Sequence, residues 1–447
     1  MPITACDAHY HRVLPLHSAL GVVDHGKQWW TDFSRTPAVT RKMGEGGPPV
    51  EGTAEAPARE HGLDALRVFA FALLIVYHSC LAYVTWPWLI NDPGGGHALE
   101  PILLSINRWR LPLLFFVSGA AATLSLRRRS WGEFARERAD RLFLPLAVGV
   151  YLVCPPQTYL TLLVHGHPIS YLELYRSILL PAPAGTANWI HLWFVGYVLV
   201  FSLVGMPLLM LIRSPAGTRV LSAAARACER WPPVIYLMVV PSALVAGLLG
   251  PRWPVTYNLV GDWANLCAGL VLFLWGFALA SSTACLELVT TRRREFLWVG
   301  LGVAALFFAA RAAGLAERWP EGAQTAFWCT VNAAYAVTWV LALVGFARAH
   351  VTRPSAWLRA ANEAVYPFYI LHQTVTVTAV YLLLSWSVSY WVKLPLVLLA
   401  TFLVSWAAYD VIRRSPWLRP LFGLRRQDGP RPKLTGAPPQ AVPPPPP

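Results

Sequence analysis

The stretch GLDALRVFAFALLIVYHSCLAYV, residues 62–84, decides the fold. It is long enough to cross a hydrocarbon layer, which takes about 20 apolar residues, yet it carries Arg67 and His78. An ionisable side chain at bilayer depth is expensive and marks a functional site by default. On a helix the eleven-residue step from Arg67 to His78 is about three turns, so both side chains lie near one face, about 16 Å apart along the axis. Asp64, three residues before Arg67, can pair with it. Taken singly, Arg67 reads as a snorkelling anchor and His78 as a core histidine bonded to backbone. Together, at this spacing, they describe a polar track through a membrane.

The rest of the chain agrees with a membrane solvent. Of 447 residues, 55% are hydrophobic and 13% charged, 21 are Trp, and the mean hydropathy is +0.44. A soluble core does not have this composition, and Trp and Tyr gather where helices meet headgroups. Ten apolar stretches are long enough to cross: 63–85, 104–126, 142–164, 191–212, 233–250, 263–283, 295–315, 325–346, 364–386 and 391–412. The expected fold is therefore all-α, a polytopic membrane bundle of about ten helices.

The basic residues assign its orientation. Loops after the even-numbered spans carry sixteen, including Arg127 to Arg129, Arg136, Arg138, Arg141 and Arg292 to Arg294. The opposite side carries six, Arg108, Arg110, Arg176, Arg252, Arg318 and Lys393. By the positive-inside rule both termini are expected in the cytoplasm. This bias also accounts for the net charge of +14 without a nucleic-acid partner. The seven Cys show no CxxC pair and no metal-type spacing, so they read as packing residues.

Residues 1–60 are polar, rich in Gly and Pro, and expected as a disordered cytoplasmic segment. Within them Met43 opens a Pro/Gly/Glu leader and is a candidate translation start. Residues 61–426 form the transmembrane domain, and 427–447, ending PPQAVPPPPP, a Pro-rich tail. No internal repeat is evident.

Five motifs follow one another along the membrane region: LDALRVFAFALLIVYH (63–78), RLPLLFFVSG (110–119), Arg138-Ala-Asp-Arg141-Leu-Phe-Leu-Pro145, HLWFV (191–195) and YPFYILH (366–372). In this order they resemble the membrane acyltransferase-3 family, whose members have about ten spans and move acyl groups from acyl-coenzyme A to sugars and other extracytoplasmic acceptors. The second- and fourth-span stretches lean slightly toward the glucan-modifying branch that they resemble, in which similar proteins add succinyl groups to periplasmic glucans. The resemblance implies Arg67 and His78 as catalytic residues and Arg138 and Arg141 as the donor-binding pair. It also implies acyl-CoA as co-substrate with no bound cofactor or metal, a glycan hydroxyl as acceptor, and the cell membrane as location.

The chemistry of the residues fits. Coenzyme A carries a pyrophosphate and a 3′-phosphate, which arginines bind bidentately. Imidazole titrates near neutrality and can take a proton from an attacking hydroxyl. Ser79 and Cys80 adjoin His78, but successive helical residues diverge by about 100°, which favours direct transfer over a covalent enzyme intermediate. His191, Trp193 and His372 are further cavity or acceptor candidates, with Asp64. For His372, with Gln373 beside it, an acceptor contact and a helix-to-helix hydrogen bond remain equal alternatives. Arg311 either meets an anion or snorkels. The alternative function is a secondary transporter using Arg67, His78 and His372 as a proton or substrate path. A third reading is a non-catalytic membrane sensor.

Overall fold

The computed structural model describes residues 60–167, 169–179 and 189–426. The two tail expectations, the Met43 start and Cys6 lie outside the described residues. Within them the chain is an all-α bundle with no strand. Eight helices are long and apolar enough to cross a membrane: α1 (His61–Leu81), α2 (Glu100–Leu126), α3 (Trp131–Val164), α5 (Pro232–Leu249), α6 (Trp263–Ser281), α7 (Arg293–Ala312), α8 (Glu321–His350) and α10 (Tyr390–Arg414). The pair Ile190–Leu203 and Met206–Arg213, bent by 53°, forms α4 and a ninth crossing if it is one span. The remaining expected crossing is α9 (Ala356–Leu383), a 28-residue helix that is less apolar than the others. Its polar residues bond to neighbouring helices: Thr374 Oγ1 donates to the Val153 carbonyl (2.7 Å), and Thr376 meets Thr401 of α10 (3.0 Å).

Local sequence explains the irregular elements. Ser130 and Glu133 form a reciprocal capping box that starts α3 at Trp131, eleven residues before the apolar run at 142. Along α3 the helix widens to π geometry at Ala139–Phe143 and Gly149–Val153. Pro145, and then Pro155 and Pro156, follow these segments. Proline has no N–H to return to the carbonyl four residues back, so the ladder shifts to the next donor.

Helices α2 and α6 cross backbone to backbone. A Cβ on Gly119 would lie 1.9 Å from the Phe273 carbonyl oxygen, and one on Gly276 1.9 Å from that of Phe116. Small residues permit such an approach where no hydrophobic effect drives helices together. Helix α1 packs against α2, α8 and α9. Gly62 abuts the Ala347 and Arg348 backbone, and Glu60 forms an ion pair with Arg348.

Two of the six basic residues assigned to the outer loops are buried within membrane-spanning helices. Helix α2 begins at Glu100 with Pro101 in its first turn, so Arg110 falls inside the helix and is 3% exposed. Lys393 lies in the first turn of α10, 3% exposed, and donates to Asp92 Oδ2 at 2.7 Å. The described cysteines are free and at least half-buried, as packing residues are.

Candidate active site

Three histidines from three helices meet in the bundle. His78 is in the last turn of α1, His372 is in the middle of α9 with 0% exposure, and His191 is buried in the tight turn Ile190–Leu192 that opens α4. His78 Nδ1 lies 2.9 Å from His372 Nε2, with the two rings nearly parallel. The ring of His191 meets that of His372 edge-on, centroids 5.2 Å apart. Ile190 holds a positive φ of 43°, rare for a β-branched residue, where the chain turns to place His191.

Hydrogen-bond partners fix the tautomers. His372 Nδ1 faces the carbonyl oxygens of Tyr369 (2.8 Å) and Phe368 (3.2 Å). Carbonyls only accept, so Nδ1 carries the proton and Nε2 of the neutral ring is an acceptor. His78 Nδ1 must then donate across the 2.9 Å contact, which leaves the lone pair on His78 Nε2. The same logic puts the His191 proton on Nε2, which lies 3.1 Å from the Tyr369 carbonyl and 3.2 Å from that of Ile370. Tyr369 returns its own hydroxyl to the His191 carbonyl, locking α4 to α9. Of the two alternatives for His372, the helix-to-helix hydrogen bond is the one observed.

The connection between α1 and α2 covers this cluster. Trp88 stacks 6.4 Å from the His78 ring, and both are half-buried. Asn91 holds the loop in shape: its amide donates to the carbonyls of Leu81 (3.2 Å), Val84 (3.2 Å) and Trp86 (3.0 Å), and its oxygen accepts from Trp88 N (2.8 Å). Ser79 turns its hydroxyl to the Ile75 carbonyl (3.0 Å), and Cys80 packs in the apolar cluster around Tyr77, so neither is presented to His78 as a relay.

A second constellation sits toward the other end of α1. Arg67 is near enough to Arg138 for their charges to interact, and both Arg138 and Arg141 act on the half-buried Tyr366 of α9. Arg138 is half-buried over the Phe134 ring, 5.0 Å to its centroid, with no hydrogen-bond partner at Nε. Arg141 is exposed and shares Glu137 with Arg129, at 3.3 and 3.2 Å. Asp64 accepts from Asn362 Nδ2 at 3.0 Å.

Trp193 joins an aromatic cluster, with centroids 4.5 Å from Tyr257 and 5.1 Å from Tyr197. Arg311 is exposed at the end of α7. The sequence reading singled out neither Trp88, Tyr369 nor Arg110. Arg110 was legible by the rule that exposed Arg67, an arginine inside an apolar stretch, since the run 104–126 contains it.

A polytopic helical protein that brings two histidines together at one end of its first helix and gathers arginines at the other has the architecture of a membrane enzyme. Residues 60–410 match the model of the acyltransferase-3 family, described as an acyltransferase domain, and the chain belongs to that family. It is similar to "Glucans biosynthesis protein C" of Escherichia coli K12, with 26% identity over 149 residues, which is 32% of this chain and 37% of that protein. The proteins of that name from strains O1:K1 / APEC and O157:H7 EC4115 match with the same identity and coverage. The aligned stretch thus spans little more than a third of the length of these relatives. No solved structure matches.

Proposed function

We propose that the protein transfers an acyl group from cytoplasmic acyl-coenzyme A to a hydroxyl of an extracytoplasmic carbohydrate-type acceptor, with His78 as general base. The observation that carries this reading is the hydrogen-bond chain from the Tyr369 carbonyl through His372 to His78. It orients the His78 ring and leaves Nε2 as the proton acceptor, as a base needs. The arginines around Arg138 lie toward the opposite end of α1, about 16 Å along the axis from His78. A long anionic donor could therefore anchor its nucleotide there and present its thioester to the histidines. Half-buried Trp88 beside His78 offers an aromatic face to a sugar ring, and the name of the E. coli relatives agrees with a glucan acceptor. In this reading both termini are cytoplasmic and the bilayer is the cell membrane. The proton path of a transporter would need a donor beyond His372, whereas its Nδ1 proton is committed to backbone carbonyls.

The test is thiol release from several acyl-coenzyme A species by the purified protein, with and without a glucan acceptor. Acceptor-dependent release is expected. His78→Gln should lower turnover by about 10²–10⁴-fold while binding donor like the wild type. A fully active His78→Gln variant would remove the base.

A further inference from the structure

Among the described residues, Arg110 is a charged group near the histidines to which the reaction as written gives no task. Its guanidinium carbon lies 3.7 Å from the centroid of the Tyr77 ring, the residue before His78. Its charge reaches His78, His372 and Tyr369. At 3% exposure it has no hydrogen-bond partner at Nε or Nη1 among the described residues, and Nη2 makes a long 3.5 Å contact with Asn107 Oδ1. A buried guanidinium is costly unless an anion meets it. Tyr77 supports the cation through its ring face but offers no negative charge. The missing anion is therefore one that arrives or develops during the reaction.

We propose that Arg110 is a catalytic residue, the donor that stabilises the oxyanion formed when the acceptor attacks the thioester. This rests on the reading of His78 as base. The acceptor oxygen bonds to the thioester carbonyl carbon while its proton passes to His78 Nε2. The carbonyl π pair moves onto oxygen, and the resulting oxyanion accepts from the unpartnered N–H groups of Arg110. The oxyanion then collapses to the ester, the C–S bond breaks, and the departing thiolate of coenzyme A takes the proton from His78. In a dry site such a preorganised donor stabilises the developing charge far more than it would in water.

Arg110→Met removes an unpaired buried charge and should leave abundance normal. Turnover is expected to fall about 10²–10³-fold, with the donor dissociation constant unchanged within about twofold. A second readout uses acyl-dithioester coenzyme A, in which sulfur, a weaker acceptor, replaces the carbonyl oxygen. The wild type should lose much more rate on this change than Arg110→Met does. Donor affinity falling in step with turnover would instead make Arg110 a ground-state anion clamp, and unchanged turnover would make it a packing group over Tyr77; either overturns the proposal. If Arg110→Met does not accumulate, Arg110→Lys carries the test: it too should show a smaller oxygen-to-sulfur penalty than wild type, and an equal penalty overturns the proposal. His78→Gln should keep the full penalty, so loss of the base reading and loss of the oxyanion reading are separable.

Discussion

His78 and His372, 294 positions apart in the chain, meet nitrogen to nitrogen at 2.9 Å. Neither α1 nor α9 contains a carboxylate at that contact to orient the ring. The orienting group is a second imidazole, whose own proton is fixed by the unsatisfied-by-helix lone pairs of carbonyls three and four residues back. Such a partner holds the His78 ring without adding a negative charge to the membrane interior, where one would be expensive.

With His78 as the proposed base, His372 takes the part of a positioning residue, and its replacements should separate by hydrogen-bonding capacity. His372→Leu cannot accept from His78 Nδ1 and should lower turnover about 10–100-fold, the usual effect of losing an orienting partner. His372→Gln can place its amide oxygen near the former Nε2 and should recover part of the rate. Turnover and donor affinity measured on both variants check this. Equal losses in Leu and Gln, or a loss confined to donor binding, would contradict it.

The two arginines expected to grip the donor should differ. Arg138 keeps Nε unpartnered in a half-buried setting, while Arg141 is exposed and engaged with Glu137. Losing a charge-assisted hydrogen bond costs about 1.5–3 kcal/mol, roughly ten- to a hundredfold in affinity. Arg138→Ala should approach the upper end, and Arg141→Ala should fall near or below the lower end. Titration with acyl-coenzyme A measures both, and a pantetheine thioester lacking the nucleotide should be nearly indifferent to either. Equal losses with both donors would reject phosphate recognition.

The helical membrane fold was legible in the sequence, because apolar length is a one-dimensional signal. The His78–Arg67 spacing needed only the helical rise. What escaped depends largely on distant partners. Arg110 was counted with the outer-loop residues although the apolar run 104–126 contains it; the helix from Glu100 carries it into the bundle. Lys393 was misplaced similarly, since Asp92 meets it from the far side of the chain. His191 was a cavity candidate whose burial the sequence could not show, because the carbonyls that meet its ring come from α9. Thr374 and Thr376, on opposite sides of α9, make it less apolar, the first bonding to α3 and the second to α10.

The α2–α6 crossing gives a stability prediction. Gly119→Ala places a methyl 1.9 Å from the Phe273 carbonyl, so the helices must separate. Overpacking of this kind costs about 1–3 kcal/mol. Gly302→Ala on α7 meets nothing within 4 Å and should be neutral or slightly stabilising. Thermal midpoints in detergent compare them. A Gly119→Ala midpoint no lower than that of Gly302→Ala would mean the crossing is not tight.

The last prediction concerns the loop over His78. Lys393 of α10 and Asp92, each with a side chain 4% exposed, form a 2.7 Å ion pair. Asp92 also accepts from Gly94 N (2.8 Å), and its backbone N–H donates to the Ala82 carbonyl (2.8 Å), so the pair ties the segment bearing Trp88 to the start of α10. Lys393→Met leaves a buried carboxylate without its counter-charge and should cost about 3–5 kcal/mol. Adding Asp92→Asn removes that orphan charge while keeping an oxygen for Gly94, so the double variant should be more stable than Lys393→Met alone. In both variants the loop loses its tie to α10, so acceptor KM should rise while donor affinity, set about 16 Å away along α1, stays unchanged. A double variant no more stable than the single, or an unchanged acceptor KM, would show that the ion pair does not hold Trp88 over the histidines.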